Sequence, residues 1–204
     1  KAEDGIRDRS PSRGLEMCIR DRKMSFTIFN RMFRASKLDV ELYEEVEADK
    51  SLLAEAMVVV LLSSLASGIG SWSMGFGELF TTTIGELISW YVWAFIVYLI
   101  GTKLLPESQT VADHGELLRT IGYSSAPGII RILKLVLPFD GAIDYIANIW
   151  MLAAMIIAVR QALDYESTMR SVGVCILGLL VKIIALTLIL LALGFLNNVI
   201  GKAV

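Results

Sequence analysis

Residues 119–138 read Arg119-Thr120-Ile121-Gly122-Tyr123-Ser124-Ser125-Ala126-Pro127-Gly128-Ile129-Ile130-Arg131-Ile132-Leu133-Lys134-Leu135-Val136-Leu137-Pro138. The stretch is apolar enough to enter a bilayer, yet it holds a helix breaker, two glycines and the cations Arg131 and Lys134. Pro127 lacks a backbone N–H and disfavours helix at Ala126, so a helix must kink or start afresh there. From Pro127 to Leu137 an α-helix would be only about 16 Å long, short of a hydrocarbon core of roughly 30 Å. Gly115 to Ser125 must then supply the remaining depth or lie in the interface as a half-helix. Broken helices are tolerated where neighbouring protein covers the freed backbone groups. The spacing therefore predicts a broken membrane span at the centre of the chain.

The rest of the chain supports a membrane setting. Of 204 residues, 55% are hydrophobic, and the mean hydropathy is +0.62, well above the balance of a soluble domain. Apolar runs at Ala54 to Gly70, Ile84 to Leu105, Ala142 to Val159 and Val172 to Leu196 flank the central stretch, which makes five expected spans in an all-α bundle. Ser71 to Thr83, with Gly75, Gly77 and three threonines, reads as a short external loop. Lys23, Arg31, Arg34, Lys37 and Lys50 precede the first span, Lys103 and Arg119 flank the second loop, and Arg160 and Arg170 flank the fourth. Ser71 to Thr83 and Phe139 to Gly141 contain no Lys or Arg. Positive charge collects on the cytoplasmic side, so the N-terminus is expected inside and the C-terminus outside.

Three regions follow: a leader at 1–23, a cytoplasmic amphipathic segment at 24–51 and a five-helix membrane domain at 52–204. The leader is rich in Arg, Asp, Ser, Pro and Gly and repeats Ile-Arg-Asp-Arg at Ile6 to Arg9 and Ile19 to Arg22. It is expected to be disordered and reads either as translated adapter sequence, with Met24 as the native start, or as a basic arm for anionic lipid. Phe26, Phe29, Met32 and Phe33 then fall at helical spacing with Arg31 and Arg34 on the polar side, which predicts an amphipathic helix at a membrane surface. A second helix is expected over Asp39 to Asp49, with Leu42 and Val46 on one face and Glu41, Glu44, Glu45 and Glu47 in water.

Few residues suggest chemistry. Arg131 and Lys134, three apart, share a helix face. They either form a headgroup, ion or substrate site, or snorkel and pair with Asp140, Asp144 or Glu86. Lys182 lies deep in the last span and should face a partner acid, with Glu86 the candidate. His114, the single histidine, is expected to be a solvated loop residue beside Asp113. Cys18 and Cys175 have no neighbours of a metal or disulfide framework. Ser64 and Gly68, Ser124 and Gly128, and Ala154 and Ala158 are spaced by four, as close-packed membrane helices prefer. Trp150 reads as bundle core. Zinc, Walker-loop and nucleophile-elbow patterns are missing, and no His stands ready to activate Ser63, Ser64 or Cys175. No enzyme, cofactor, metal or nucleic-acid partner is expected.

Leu42-Tyr43-Glu44-Glu45-Val46-Glu47-Ala48-Asp49, the central Gly122-Tyr123-Ser124-Ser125-Ala126-Pro127, Ile149-Trp150 and Arg160-Gln161-Ala162-Leu163 together resemble the Yip1 domain family in its short prokaryotic form, from about Met24 onward. The resemblance implies a polytopic membrane protein with a cytoplasmic N-terminus, marked by Gly122, Tyr123 and Pro127. Eukaryotic members of the family act in vesicle trafficking and bind Rab-type GTPases and each other. Their longer N-terminal segment is missing here, which weighs against GTPase binding. Two functions follow as expectations. One is a non-enzymatic scaffold or membrane-organising, trafficking-related protein acting through helix contacts with lipids, further copies or other membrane proteins. The other is a small transporter or channel lined by Arg131, Lys134, Lys182 and Glu86.

Overall fold

The computed structural model describes residues 27–70, 75–110, 112–137 and 139–203, and every regular element among them is helical. Helix α1 covers 27–36 and α2 Val40–Ala48. A 3₁₀ turn, Lys50–Leu52, opens into α3, Leu53–Gly70. Then come α4, Gly75–Leu99, continued by a π turn at Ile100–Leu104, and α5, His114–Tyr123. A 3₁₀ helix at Ala126–Leu135 precedes α6, Asp140–Ala162, and α7, Thr168–Ala203. The leader at 1–23 and Phe26 lie outside the described residues.

Four segments are long and apolar enough to cross a membrane: Lys50–Gly68, Phe80–Leu104, Gly141–Ala162 and Thr168–Ile189. They coincide with the first, second, fourth and fifth expected spans. The external loop expected over Ser71 to Thr83 is mostly helix, because α4 already runs from Gly75. Thr81 turns its hydroxyl back to the Gly77 carbonyl at 3.1 Å, which satisfies a polar side chain inside an apolar helix.

The central stretch is broken as its proline demands, but its second half is not α-helical. Pro127 stands in the first turn of the 3₁₀ helix, where a missing N–H leaves no bond unmade. A ten-residue 3₁₀ run is uncommon, and its i, i+3 residues eclipse. Here that row is Gly128, Arg131 and Lys134. It runs antiparallel to Met151, Asn148 and Asp144 of α6: Gly128 approaches Met151, Arg131 donates to Asn148 at 2.6 Å, and Lys134 pairs with Asp144 at 2.9 Å.

Small residues allow close approach to α3. A Cβ on Gly122 would stand 2.9 Å from the Ala56 Cβ and 3.3 Å from the Ala56 carbonyl, and one on Gly128 would overlap the Ser63 Oγ. The neighbour of Gly128 is thus Ser63, while Ser64 folds its hydroxyl onto the Val60 carbonyl at 3.0 Å. Ala154 and Ala158 are fully buried. One core cluster joins α1 and α2 to the bundle, with Met32, Ala35, Leu42, Tyr43 and Val46 packed with Ala56, Val59, Tyr123, Ala126 and Ala158.

Candidate functional site

The α1–α2 hairpin is built by local signals. Leu38 takes φ 64°, and the Asp39 N–H bonds the Arg34 carbonyl at 3.2 Å, a Schellman stop for α1. Asp39 then caps α2 by accepting from the Glu41 N–H at 3.1 Å, as an N-cap acid should. Arg34 donates to Asp39 at 2.7 Å and holds that carboxyl below the usual carboxylate range.

The hairpin meets the bundle through a half-buried ionic network. Arg31 donates to Glu45 at 3.0 Å and to both oxygens of Glu55 at 3.2 and 3.0 Å. Arg34 reaches the other oxygen of Glu45 at 3.0 Å. Fully buried Tyr123 donates its hydroxyl to Glu55 at 2.5 Å. Glu55, in the first turn of α3, therefore ties α1 to α5. Two arginines, three carboxylates and a phenol satisfy one another, as charges withdrawn from water must. Truncating the phenol in Tyr123→Phe should lower stability by about 1.5–3 kcal/mol, since its hydrogen bond goes to a charged acceptor; thermal unfolding in detergent measures this.

A second tie uses Arg119, which is buried in α5. Its Nε donates to the Val46 carbonyl at 2.9 Å, and its Nη2 donates to the Glu47 carbonyl. These belong to the last turn of α2, where carbonyls have no intrahelical partner. Gln161 adds a bond to Glu44 at 3.0 Å.

Glu47 thus leaves the solvated face expected of it, while Glu41, Glu44 and Glu45 stay exposed. Partial burial, with the charges of Asp164, Glu116 and Glu44 adding to it and Arg119 opposing, pushes the Glu47 carboxyl up to about 7. An unfolded glutamate titrates near 4.3. The folded state therefore holds the proton more tightly, and stability should fall as pH rises from about 4.3 to about 7, then level off. Glu47→Gln should remove this slope and raise the melting temperature above that of the unsubstituted protein at pH 8, with little difference at pH 4.

The other sequence-singled residues are scattered. Arg131 and Lys134 both close onto Asp144, at 3.6 and 2.9 Å, which favours the paired alternative. Lys182 does not take Glu86 as partner. Its ammonium donates to Ser89 at 2.8 Å and lies 5.7 Å from the Trp93 ring centroid, while Glu86 is exposed. Ser89 is nearly one helical turn further along α4, so a hydroxyl and a π face replace the carboxylate. His114 is no solvated loop residue. It begins α5, sits edge-on to Tyr91, Phe95 and Tyr98 at 5.2–5.9 Å between centroids, and buries both ring nitrogens, because the capping Asp113 starts the helix one residue earlier than a loop reading allows. Trp150 is not core either: it is 36% exposed, and its indole N–H donates to the Ser36 carbonyl at 2.7 Å, a free acceptor at the end of α1. Gly122 and Tyr123 converge on the start of α3, at Ala56 and Glu55, and Pro127 is buried in the first turn of the 3₁₀ helix. Arg119 counts in the sequence only as a charge flanking a loop, and Glu55 only as an acid at the entrance of the first apolar run. An acid in the first turn of an apolar span was the one available signal.

Among the described residues no three His, Cys, Asp or Glu side chains gather as metal ligands. Long apolar helices and an internally neutralised polar network define an integral membrane helical bundle. The Yip1 domain model matches residues 41–200, and the chain belongs to the Yip1 domain family. No curated protein and no solved structure gives a match.

Proposed function

We propose that the protein is a non-enzymatic membrane scaffold with five crossings, a cytoplasmic N-terminus and an external C-terminus, seated in a prokaryotic cell membrane. It acts through helix contacts with further copies or other membrane proteins and with lipid. The observation that carries this reading is the dispersal of the charges a transport pathway would need. Arg131 and Lys134 are paired with Asp144, Lys182 is held by Ser89, and Glu86 is an exposed side chain. The residues that mark the family instead make close helix contacts. The fifth crossing rests on the 3₁₀ helix, which at about 2.0 Å per residue supplies about 20 Å of a roughly 30 Å core, with the residues on either side of it supplying the rest.

Purified protein in liposomes should pass neither anions nor small solutes, and crosslinking in native membranes should recover homo-oligomers or other membrane proteins. Flux abolished by Arg131→Ala or Lys134→Ala would replace the scaffold with a transporter.

A further inference from the structure

We propose that α1 is an interfacial membrane anchor whose Phe29 and Phe33 side chains sit among phospholipid acyl chains. The helix has three faces. Met32 and Ala35 pack into the protein core, Arg31 and Arg34 are neutralised by Glu45, Glu55 and Asp39, and Phe29 and Phe33, one turn apart, are 57% and 60% exposed. The sequence pattern set Phe29, Met32 and Phe33 on one side with the arginines on the polar side. Instead the arginines face protein acids and the two phenylalanines face outward.

The position of α1 identifies what covers that outward face. Along α6 one face is buried throughout, at Ile143, Ala147, Ala154 and Ala158, while the other passes from the exposed Tyr145, Ile146, Ile149, Trp150 and Leu152 to the partly buried Met155, Ile156 and Ile157. That seam marks where the lipid-facing part of a membrane helix ends and the protein-covered part begins. Trp150 stands at the seam and bonds the C-terminal carbonyl of α1 at Ser36, and Trp is the residue that favours membrane interfaces. At its other end α1 lays Ile28 against the cluster that contains Val59 of α3. The helix thus lies across two membrane segments, and its Arg31 reaches Glu55 in the first turn of α3, the end at which that segment enters the bilayer. Lys37 stands over the Phe33 ring at 4.3 Å, so an apolar surface passes directly into a cation, the order met on going from acyl chains to phosphate. Two large exposed aromatics with their flanking charges neutralised suit acyl chains better than water.

The inference rests on α3 and α6 being membrane helices, and the experiment separates the two claims. In the full chain with Cys18 and Cys175 replaced by serine, nitroxide labels are placed singly at Phe29→Cys, Phe33→Cys, Ile149→Cys and Glu41→Cys. The proteins are reconstituted in phosphatidylcholine vesicles, and collisions with oxygen and with a water-soluble nickel chelate are measured. Labels at 29 and 33 should lose nickel collisions relative to 41 and keep oxygen collisions close to those at 149. Nickel collisions at 29 and 33 equal to those at 41, with 149 protected, would overturn the anchor alone. Low collision with both reagents would place a second protein surface on this face and also overturn it. Nickel access at 149 would overturn the membrane reading itself. Two independent label sites keep the test open if one variant misfolds.

Discussion

Gly122→Ala should destabilise the protein by about 1–2 kcal/mol, against the local preference of the helix. In an open helix position the same change would help, because alanine exceeds glycine in helix propensity by about 1 kcal/mol. Gly122 is not open: its added methyl would meet the Ala56 Cβ at 2.9 Å and the Ala56 carbonyl at 3.3 Å. Both atoms are fixed to the backbone of α3, so no rotamer change relieves the contact and the helices must move apart. Overpacking of this kind costs about 1–3 kcal/mol, beyond what propensity returns. The displacement would also pull the Tyr123 hydroxyl from Glu55, since Tyr123 is the next residue. Gly173→Ala is the matched comparison, with nothing within 4 Å of the added methyl, and should be neutral or stabilising. Ala56→Gly in the Gly122→Ala background should recover part of the loss, and the double-mutant cycle gives the coupling directly. Thermal unfolding of the four variants in one detergent reads out the sign.

Arg119→Met should release the hairpin at a cost of about 3 kcal/mol or more. The guanidinium fork reaches two carbonyls at the end of α2, and hydrogen bonds to charged groups contribute about 1.5–3 kcal/mol each. Methionine fills much of the space but leaves both carbonyls without a donor. Lysine should not rescue, because a single ammonium cannot match the fork geometry. The loss is expected first as local opening. Limited proteolysis should cut within the turn at Lys37 and Leu38 and around Asp49 and Lys50 well before α3 to α7 are attacked, and hydrogen exchange over 40–48 should accelerate. Unchanged protection of α2 in Arg119→Met would mean that the core contacts of Leu42, Tyr43 and Val46 hold the hairpin alone.

These two residues show what the sequence could reveal. The break at Pro127 was legible because proline's missing N–H acts locally, and α2 was legible because Asp39 and the Leu42/Val46 spacing are local as well. The apolar runs found four membrane helices for the same reason. The 3₁₀ character of Ala126–Leu135 was not, since it depends on matching the row of Gly128, Arg131 and Lys134 to α6, a tertiary contact. The outward turn of Phe29 and Phe33 escaped because helical spacing fixes which residues share a face, while Glu45 and Glu55 decide which face points inward. Arg119 looked like a topological loop charge, and its role exists only once α2 ends beside α5. Lys182 misled in the same way, since a hydroxyl and an indole supplied by α4 replaced the carboxylate that the charge called for.

The central claim is that the broken element from α5 through the 3₁₀ helix carries the chain across the bilayer. Single cysteines at Ser108, before α5, and at Phe139, after the 3₁₀ helix, test it in a chain otherwise free of cysteine. In intact cells an impermeant maleimide should modify Phe139→Cys and leave Ser108→Cys unreacted until the membrane is opened. Modification of both from the same side would show that the element enters and leaves on one face, and would contradict the five-crossing account.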